Sequence, residues 1–206
     1  CRGGEPEPPD AVLDNMLRFM NPLARSMAGF LELGLDPITP ICDLLVTQQT
    51  DCHVGRVTKL LEFKGIKLSK VGVPSDWEKP IAFDYYVNSL KKMLATVEEI
   101  TGKKVDWELA KVYFEKSNKI NELLRKLNEL RKKDNPPIGL TEMIRLHHYS
   151  FTVNADVMIE KLTKLYQELE NAPGKFPEKA PRILFVGRAL AIGDYTVPRV
   201  LEESGG

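Results

Sequence analysis

The sequence has little cysteine, no net charge and no long apolar run, and each of these shortages excludes a class of protein. Only 3 of its 206 residues are cysteine, which does not make a disulfide framework and predicts a reducing, cytoplasmic environment. The 29 basic and 29 acidic residues cancel, which argues against a protein that holds nucleic acid by its phosphates. No stretch approaches the roughly 20 apolar residues that span a membrane. We therefore expect neither nucleic acid nor a membrane as partner.

What is present is ordinary globular composition, with 43% hydrophobic and 28% charged residues, so disorder cannot describe the whole chain. The chain starts at Cys1 without an initiator Met, and residues 3–10 are too polar and proline-rich for a signal peptide. It stops at Gly206, just after a predicted helix. We expect a fragment of a longer polypeptide.

The first third of the chain has the pattern of one βαβ unit. Residues 44–46, within the stretch 42–47, form a short apolar run typical of a buried parallel strand. Residues 53–64 have a helical pattern, and residues 70–73 form a second short strand.

An earlier stretch of helical spacing extends from Asp10, a predicted N-cap, to about residue 33. Pro22 should kink or divide this helix.

The middle of the chain is helical and its end returns to an α/β pattern. Helices are predicted at residues 81–101, 106–133, 141–149 and 154–171, with Asp106, Thr141 and Asn154 as caps. A linker rich in Pro, Gly and Lys (172–181) precedes a predicted strand (182–187) and a helix (about 194–204). These patterns divide the chain into part of a first α/β domain (1–80), a helical connecting region (81–180) and the start of a second α/β domain (181–206).

Cys52 is the residue most open to a chemical role. It follows the first predicted strand, and ligands collect at the carboxyl ends of strands in open parallel sheets. It also lies near the N-terminus of the helix predicted at residues 53–64, whose dipole favours a thiolate. Such a thiolate could bind iron or zinc or act as a nucleophile, and the alternative is a loop cysteine without a role.

The other two cysteines give weaker signals. Cys1 lies in a glycine-rich segment, where backbone N–H groups can approach the sulfur atoms of a cluster. Cys42 precedes the first strand and is expected to pack as a small hydrophobic residue. The sequence has no CxxC pair, so the spacing of zinc fingers and ferredoxins is absent.

Three further groups of residues have an ordinary structural interpretation. His53 adjoins Cys52, but neighbours in a turn diverge, which argues against a Cys-His dyad. His147 and His148 are expected to pack or to lie at the surface of their helix. The basic residues of the long helix are interpreted as a solvated face, and they are Arg125, Lys126, Arg131, Lys132 and Lys133.

The loop from Gly187 to Asp194 follows a predicted strand and precedes a predicted helix. It lacks the spacing of dinucleotide-binding and Walker motifs, although a ligand could lie there.

An ordered series of segments resembles the 2-hydroxyacyl-CoA dehydratase / benzoyl-CoA reductase family. The segment Cys42–Arg56, with Thr-Gln-Gln-Thr-Asp-Cys-His at its centre, is similar to the second-cysteine region of that family. The similar segments that follow are Val73-Pro74 with Trp77, the helix ending at Gly102, the helix bearing Asn118 and Asn121, Pro137–Gly139, Arg182–Gly187, Gly193-Asp194 and Glu203–Gly206. The resemblance covers residues 36–206, and it is carried by the order of the segments.

The resemblance implies an α/β fold with Rossmann-like three-layer domains, parallel sheets and a long helical insertion. It implies an iron–sulfur cluster, 4Fe–4S or double-cubane in type, held by cysteines of both domains. Cys52 matches one of these ligands and Cys1 the earlier one, while a further ligand is expected beyond Gly206. His53 stands where many members have Asp, which leaves the subfamily open. No catalytic side chain is assigned.

The family also implies a reaction and partners. An ATP-hydrolysing iron–sulfur activator would supply an electron, which would reach an acyl-CoA thioester and form a radical anion. The protein would then be an oxygen-sensitive lyase or oxidoreductase that dimerises with an identical or homologous subunit. The alternatives are a double-cubane reductase of small molecules and a non-catalytic scaffold subunit that binds through helices 81–133. A nucleotide-binding α/β protein is disfavoured by the absent phosphate motifs.

Overall fold

The computed structural model describes residues 6–14, 19–50, 52–177, 179–187 and 190–206. The chain divides into two compact units, Cys1–Val105 and Asp106–Gly206. The N-terminal unit contains helix α1 (Glu7–Asp10), helix α2 (Pro22–Glu32), strand β1 (Leu45–Gln49), helix α3 (Cys52–Phe63), strand β2 (Leu68–Gly72) and helix α4 (Pro80–Thr101). The C-terminal unit contains helices α5 (Trp107–Leu130), α6 (Leu140–Ser150), α7 (Ala155–Leu169) and α8 (Thr196–Glu203). The predicted α/β class is confirmed, whereas the Rossmann-like three-layer detail and the three-part division stay predictions.

The βαβ unit of the N-terminal unit is confirmed. Strands β1 and β2 are parallel, in a register that pairs Leu45 with Leu68 and Gln49 with Gly72. Helix α3 connects them, and β2 begins two residues earlier than the sequence pattern predicted. A small core of Met20, Ala24, Val57 and Leu61 packs α2 and α3 together, with Leu45 and Leu68 of the strands against it. Both strands therefore end at the same edge of the sheet, where α3 begins.

The predicted division at Pro22 of the helical stretch from Asp10 to residue 33 is confirmed, but its predicted start at Asp10 is wrong. Asp10 ends α1, so it is not the N-cap of the longer helix. Helix α2 begins at Pro22, and the Asn21 side chain accepts a hydrogen bond from the Leu23 N–H at 2.9 Å. Proline suits a first helical position because its missing N–H and fixed φ cost nothing there. Residues 15–18, which the predicted helix also included, lie outside the described residues.

The core of the C-terminal unit forms around the second half of α5. Its buried residues are Ile120, Leu123, Leu124, Leu127 and Leu130, at the three- and four-residue spacing of one helical face. Met158 and Leu162 of α7, with Met143 of α6, complete the core. The predicted caps Asp106 and Asn154 are confirmed, since each side chain accepts backbone N–H bonds of its helix.

Two sequence predictions for the C-terminal unit are wrong. Thr141 does not cap α6, because the helix begins at Leu140 after Gly139, whose N–H donates to Glu142 Oε2 at 2.9 Å. Residues 182–187 form no strand. A strand needs a hydrogen-bonding neighbour, and within the described residues the only paired strands are β1 and β2. Leu184 and Val186 are 86% and 79% exposed.

No helix among the described residues combines the length and the apolar character that crossing a membrane requires.

Candidate functional site

Cys52 lies where the sequence pattern predicted it. It is the first residue of the 12-residue helix α3 and follows the end of β1 by three positions. Its thiol is reduced and exposed. The structure therefore presents one accessible thiol at the carboxyl edge of the sheet.

The described residues contain no group of three or more His, Cys, Asp or Glu side chains that could hold a metal ion. Cys1, the other predicted ligand, lies outside the described residues. A single exposed thiolate at a helix N-terminus fits one ligand of an iron–sulfur cluster, since such clusters are held by cysteine thiolates. Further ligands would have to come from residues outside the described part of this unit.

Cys42 does not pack as a small hydrophobic residue, so that prediction is wrong. Its side chain is exposed. It follows a 3₁₀ turn, Thr39–Ile41, and comes before β1, where the chain runs along the surface. Cys42 and Cys52 are thus both accessible, but only Cys52 begins a helix.

His53 is engaged away from Cys52. Its Nδ1 accepts a hydrogen bond from the backbone N–H of Asn21 at 2.7 Å. Asn21 is the N-cap of α2, so the imidazole links the first turns of α2 and α3. This geometry supports a structural role for His53 and leaves the Cys-His dyad disfavoured.

The end of β1 carries a polar contact that the sequence analysis did not identify. The Gln49 amide Nε2 lies 3.4 Å from Thr47 Oγ1 and 3.3 Å from Thr58 Oγ1 of α3. Thr47 and Thr58 are only 8% and 1% exposed. The two-residue spacing of Thr47 and Gln49 places both on one face of the strand, which the sequence could have indicated. Nothing in the sequence identified Thr58 as their partner.

An apolar cleft opens beyond the end of β2. It is lined by Val73, Pro74, Trp77, Ala82, Phe83 and Tyr86. Trp77 and Phe83 are 78% and 72% exposed. Gly72 ends β2 against the ring of Tyr85, where a Cβ would clash. Because β1 and β2 are parallel, their last residues lie at the same edge of the sheet. Cys52 comes after the end of β1 and this cleft comes after the end of β2, so both belong to that edge.

The C-terminal unit has a second cleft, with Arg131, Arg182 and Glu202 in its lining. Arg182 donates to the backbone carbonyls of Arg131 and Lys133 at 2.8 and 2.9 Å, at the end of α5. Burial lowers the pKa of Arg131, although Glu202 opposes this shift. Glu202 Oε1 in turn accepts from the Thr141 N–H of α6 at 3.1 Å. The arginines and the carboxylate thus serve mainly to join α5, α6 and α8.

The histidines of α6 differ in their contacts. His148 Nδ1 lies 2.9 Å from the Tyr195 hydroxyl, and its Nε2 lies 3.0 Å from the Leu190 carbonyl oxygen. The ring therefore anchors the segment before α8 to α6. Desolvation lowers the pKa of His147, and the neighbouring His148 adds to the shift. Residues 188 and 189 of the predicted ligand loop lie outside the described residues.

The basic face of α5 is solvated for the most part, as predicted. Lys126 pairs with Glu122 at 3.0 Å and Lys132 with Glu129 at 2.7 Å. Arg131 is the exception, since it is half-buried and its Nη1 donates to the Asn128 side chain at 3.1 Å.

Comparison with known proteins adds one finding. No curated protein sequence matches the chain. The family described as 2-hydroxyglutaryl-CoA dehydratase, D-component, matches residues 1–206, the whole of the sequence. This match confirms the resemblance drawn from residues 36–206 and extends it through the N-terminal segment that contains Cys1. The chain belongs to the 2-hydroxyglutaryl-CoA dehydratase D-component family, a family of CoA-thioester dehydratases.

Proposed function

We propose that this chain is the iron–sulfur subunit of a radical 2-hydroxyacyl-CoA dehydratase, or of a benzoyl-CoA reductase type enzyme. Members of its family are generally iron–sulfur proteins. The observation that carries the proposal is the exposed Cys52 thiol at the N-terminus of α3, at the carboxyl edge of a parallel sheet.

Cys52 and Cys1 would hold the cluster, together with cysteines from outside the described residues. Removing water from a 2-hydroxyacyl thioester requires loss of a weakly acidic β-proton, and a bound cluster supplies the low-potential electron that eases this loss and that no side chain can supply. The role of this chain in the reaction is to supply the Cys52 thiolate as a ligand of the cluster. Helix α3 begins at Cys52, and the βαβ core of Val57, Leu61 and the strands fixes this helix in place.

The proposal includes three partners. The family implies an activator protein and an acyl-CoA substrate, and we propose that the activator hydrolyses ATP and delivers the electron. The third partner is an identical or homologous subunit.

The test is the iron and acid-labile sulfide content of the anaerobically purified full-length protein, with its visible spectrum. We expect roughly four or more irons per chain. Replacing the ligand thiol in Cys52→Ala should remove most of this iron. The matched control is Cys42→Ala, which removes an equally exposed thiol that does not begin a helix and should retain the wild-type iron content.

Wild-type protein without iron after reconstitution would contradict the proposal and favour a scaffold subunit. Equal iron loss in the two variants would also count against a specific role for Cys52, because Cys42 would then matter as much.

A further inference from the structure

A buried polar contact holds the segment that contains Cys52. Gln49, the last residue of β1, reaches over to α3 and contacts Thr58, a residue that is 1% exposed. The Thr58 hydroxyl donates to the Val54 carbonyl oxygen at 2.8 Å. Gln49 and Val54 flank Cys52 in sequence, and the same contact therefore fixes both sides of the thiol.

The hydrogen-bonding capacities of these groups match. Because the Thr58 hydroxyl uses its one hydrogen for Val54, it is left as an acceptor for the Gln49 amide. An amide has two hydrogens, and the second lies 3.4 Å from Thr47 Oγ1. One orientation of the carboxamide thus contacts both buried hydroxyls, whose oxygen atoms also lie 3.5 Å from each other.

The geometry that hydrogen bonds require makes this contact directional. The amide of Gln49 meets both threonine hydroxyls in one arrangement of α3 on β1, whereas an aliphatic side chain would pack at this interface in several arrangements. The polar contact favours one rotation of α3 on β1. Since Cys52 lies in the first turn of α3, that rotation decides where its thiol points.

We propose that Gln49 is a positioning residue for Cys52. Its carboxamide joins Thr47 of β1 to Thr58 of α3 and so sets the orientation of the first turn of α3 and of its thiol. The consequence for a cluster rests on the function proposed above, but the orientation of the thiol does not.

The test is the alkylation rate of Cys52 by iodoacetamide in the metal-free full-length chain, measured by peptide mass spectrometry. Gln49→Leu removes both amide hydrogens, and Thr58→Val removes the hydroxyl at nearly constant volume. Gln48→Leu is the matched control, since Gln48 is the exposed neighbour on the other face of β1. Cys42, exposed and outside the contact, is an internal standard in every sample.

We expect Gln49→Leu and Thr58→Val to change the Cys52 rate by about three- to tenfold, the effect of one or two hydrogen bonds on the population of the native orientation of the first turn of α3. The double variant should change it no more than the larger single one, because both remove one contact. The Cys42 rate and the Gln48→Leu protein should stay at the wild-type values.

A purely structural role predicts a different result. Both variants would then lower the Tm, while the Cys52 rate measured well below the Tm would stay at the wild-type value, and this outcome would overturn the proposal. Should Gln49→Leu fail to fold, Thr58→Val decides alone. The iron content of the wild-type protein is measured separately. A changed Cys52 rate in the variants, in a protein that binds no iron, would contradict the cluster and support the positioning role of Gln49. Iron in the wild-type protein with an unchanged Cys52 rate in the variants would support the cluster and contradict the positioning role.

Discussion

At the scale of single residues, side chains next to helix N-termini decide where the helices begin. Glu142 shows this for α6, because its Oε2 accepts from the Gly139 N–H at 2.9 Å and lies 2.5 Å from Lys175 Nζ. Desolvation alone would raise the pKa of Glu142, but the Gly139 N–H and Lys175 outweigh it and lower the pKa below its usual value. The carboxylate form therefore stabilises the folded state.

This carboxylate predicts an acid-sensitive contribution to stability. Because its pKa is lower in the folded than in the unfolded chain, the contribution is complete above pH ~4.5 and disappears as the pH falls further. Glu142→Gln should lower the free energy of unfolding at pH 7 by about 1 kcal/mol or less, as expected for a partly exposed capping contact. The difference from wild type should shrink below pH ~4.5 in urea titrations.

Glu160→Gln, on the exposed face of α7, is the control for this prediction. A constant difference between Glu142→Gln and wild type from pH 7 to pH 3 would rule out the ionised carboxylate as its source.

At the scale of elements, α5 has two halves with different surroundings. From Ile120 onward its apolar face is buried, and Leu127 is fully inaccessible. None of residues 107–119 is buried, and Leu109 and Phe114 are 52% and 63% exposed. Only the second half of the helix thus contributes to the core of its unit.

These halves predict unequal effects of the same substitution. Leu127→Ala should reduce the free energy of unfolding by about 3 kcal/mol, because it deletes buried methyl groups and leaves a cavity. Leu109→Ala, at the exposed end of the same helix, should change it by less than about 0.5 kcal/mol. Chemical denaturation of both variants gives the comparison, and similar losses would mean that the first half is also packed.

At the scale of the whole molecule, each unit has its own core, and residues 182–187 belong to neither. The N-terminal core surrounds the βαβ unit, and the C-terminal core surrounds α5 and α7. The apolar run of Ile183, Leu184 and Val186 is exposed instead of packed. Its sequence is that of a buried strand, but the chain supplies no neighbouring strand to it within the described residues.

Hydrogen exchange of the 206-residue chain tests this description. The amides of Leu45 and Thr47 in β1 should exchange at least about tenfold more slowly than those of residues 183–186, because these alternate N–H groups of β1 face β2, beginning with the bond from Leu45 N–H to the Lys67 carbonyl. Peptide-level mass spectrometry resolves both segments. Strong protection of residues 183–186 would show that they pair after all.

Much of the local structure could be predicted from local chemistry. Asp106 and Asn154 identify helix starts because their side chains accept the first N–H groups. The positive φ of 66° at Gly102 ends α4 as a glycine can. The prediction that Asp10 is the N-cap of the longer helix was wrong. That helix begins eleven residues later, after Asn21, whose side chain accepts a backbone N–H, and with Pro22 at its first position.

The candidate site could be predicted only in part. Cys52 followed from the order strand, cysteine, helix, which local patterns reveal. The contact of Gln49 with Thr58 could not, since nine residues and a turn separate them and their approach depends on how α3 lies on β1. The exposure of Cys42 likewise depends on the path of the chain before β1.

The sequence by itself determined the family, the βαβ unit, the long helices and the place of Cys52, because periodicity, caps and motif order are properties of neighbouring residues. The tertiary structure decided which apolar segments become strands. Residues 44–46 and 183–186 are both short apolar runs, yet only Leu45 and Val46 became part of a strand, because β2 lies beside them and supplies the hydrogen bonds that an extended backbone needs. That pairing also brings Gln49 to α3 and presents the Cys52 thiol at the edge of the sheet.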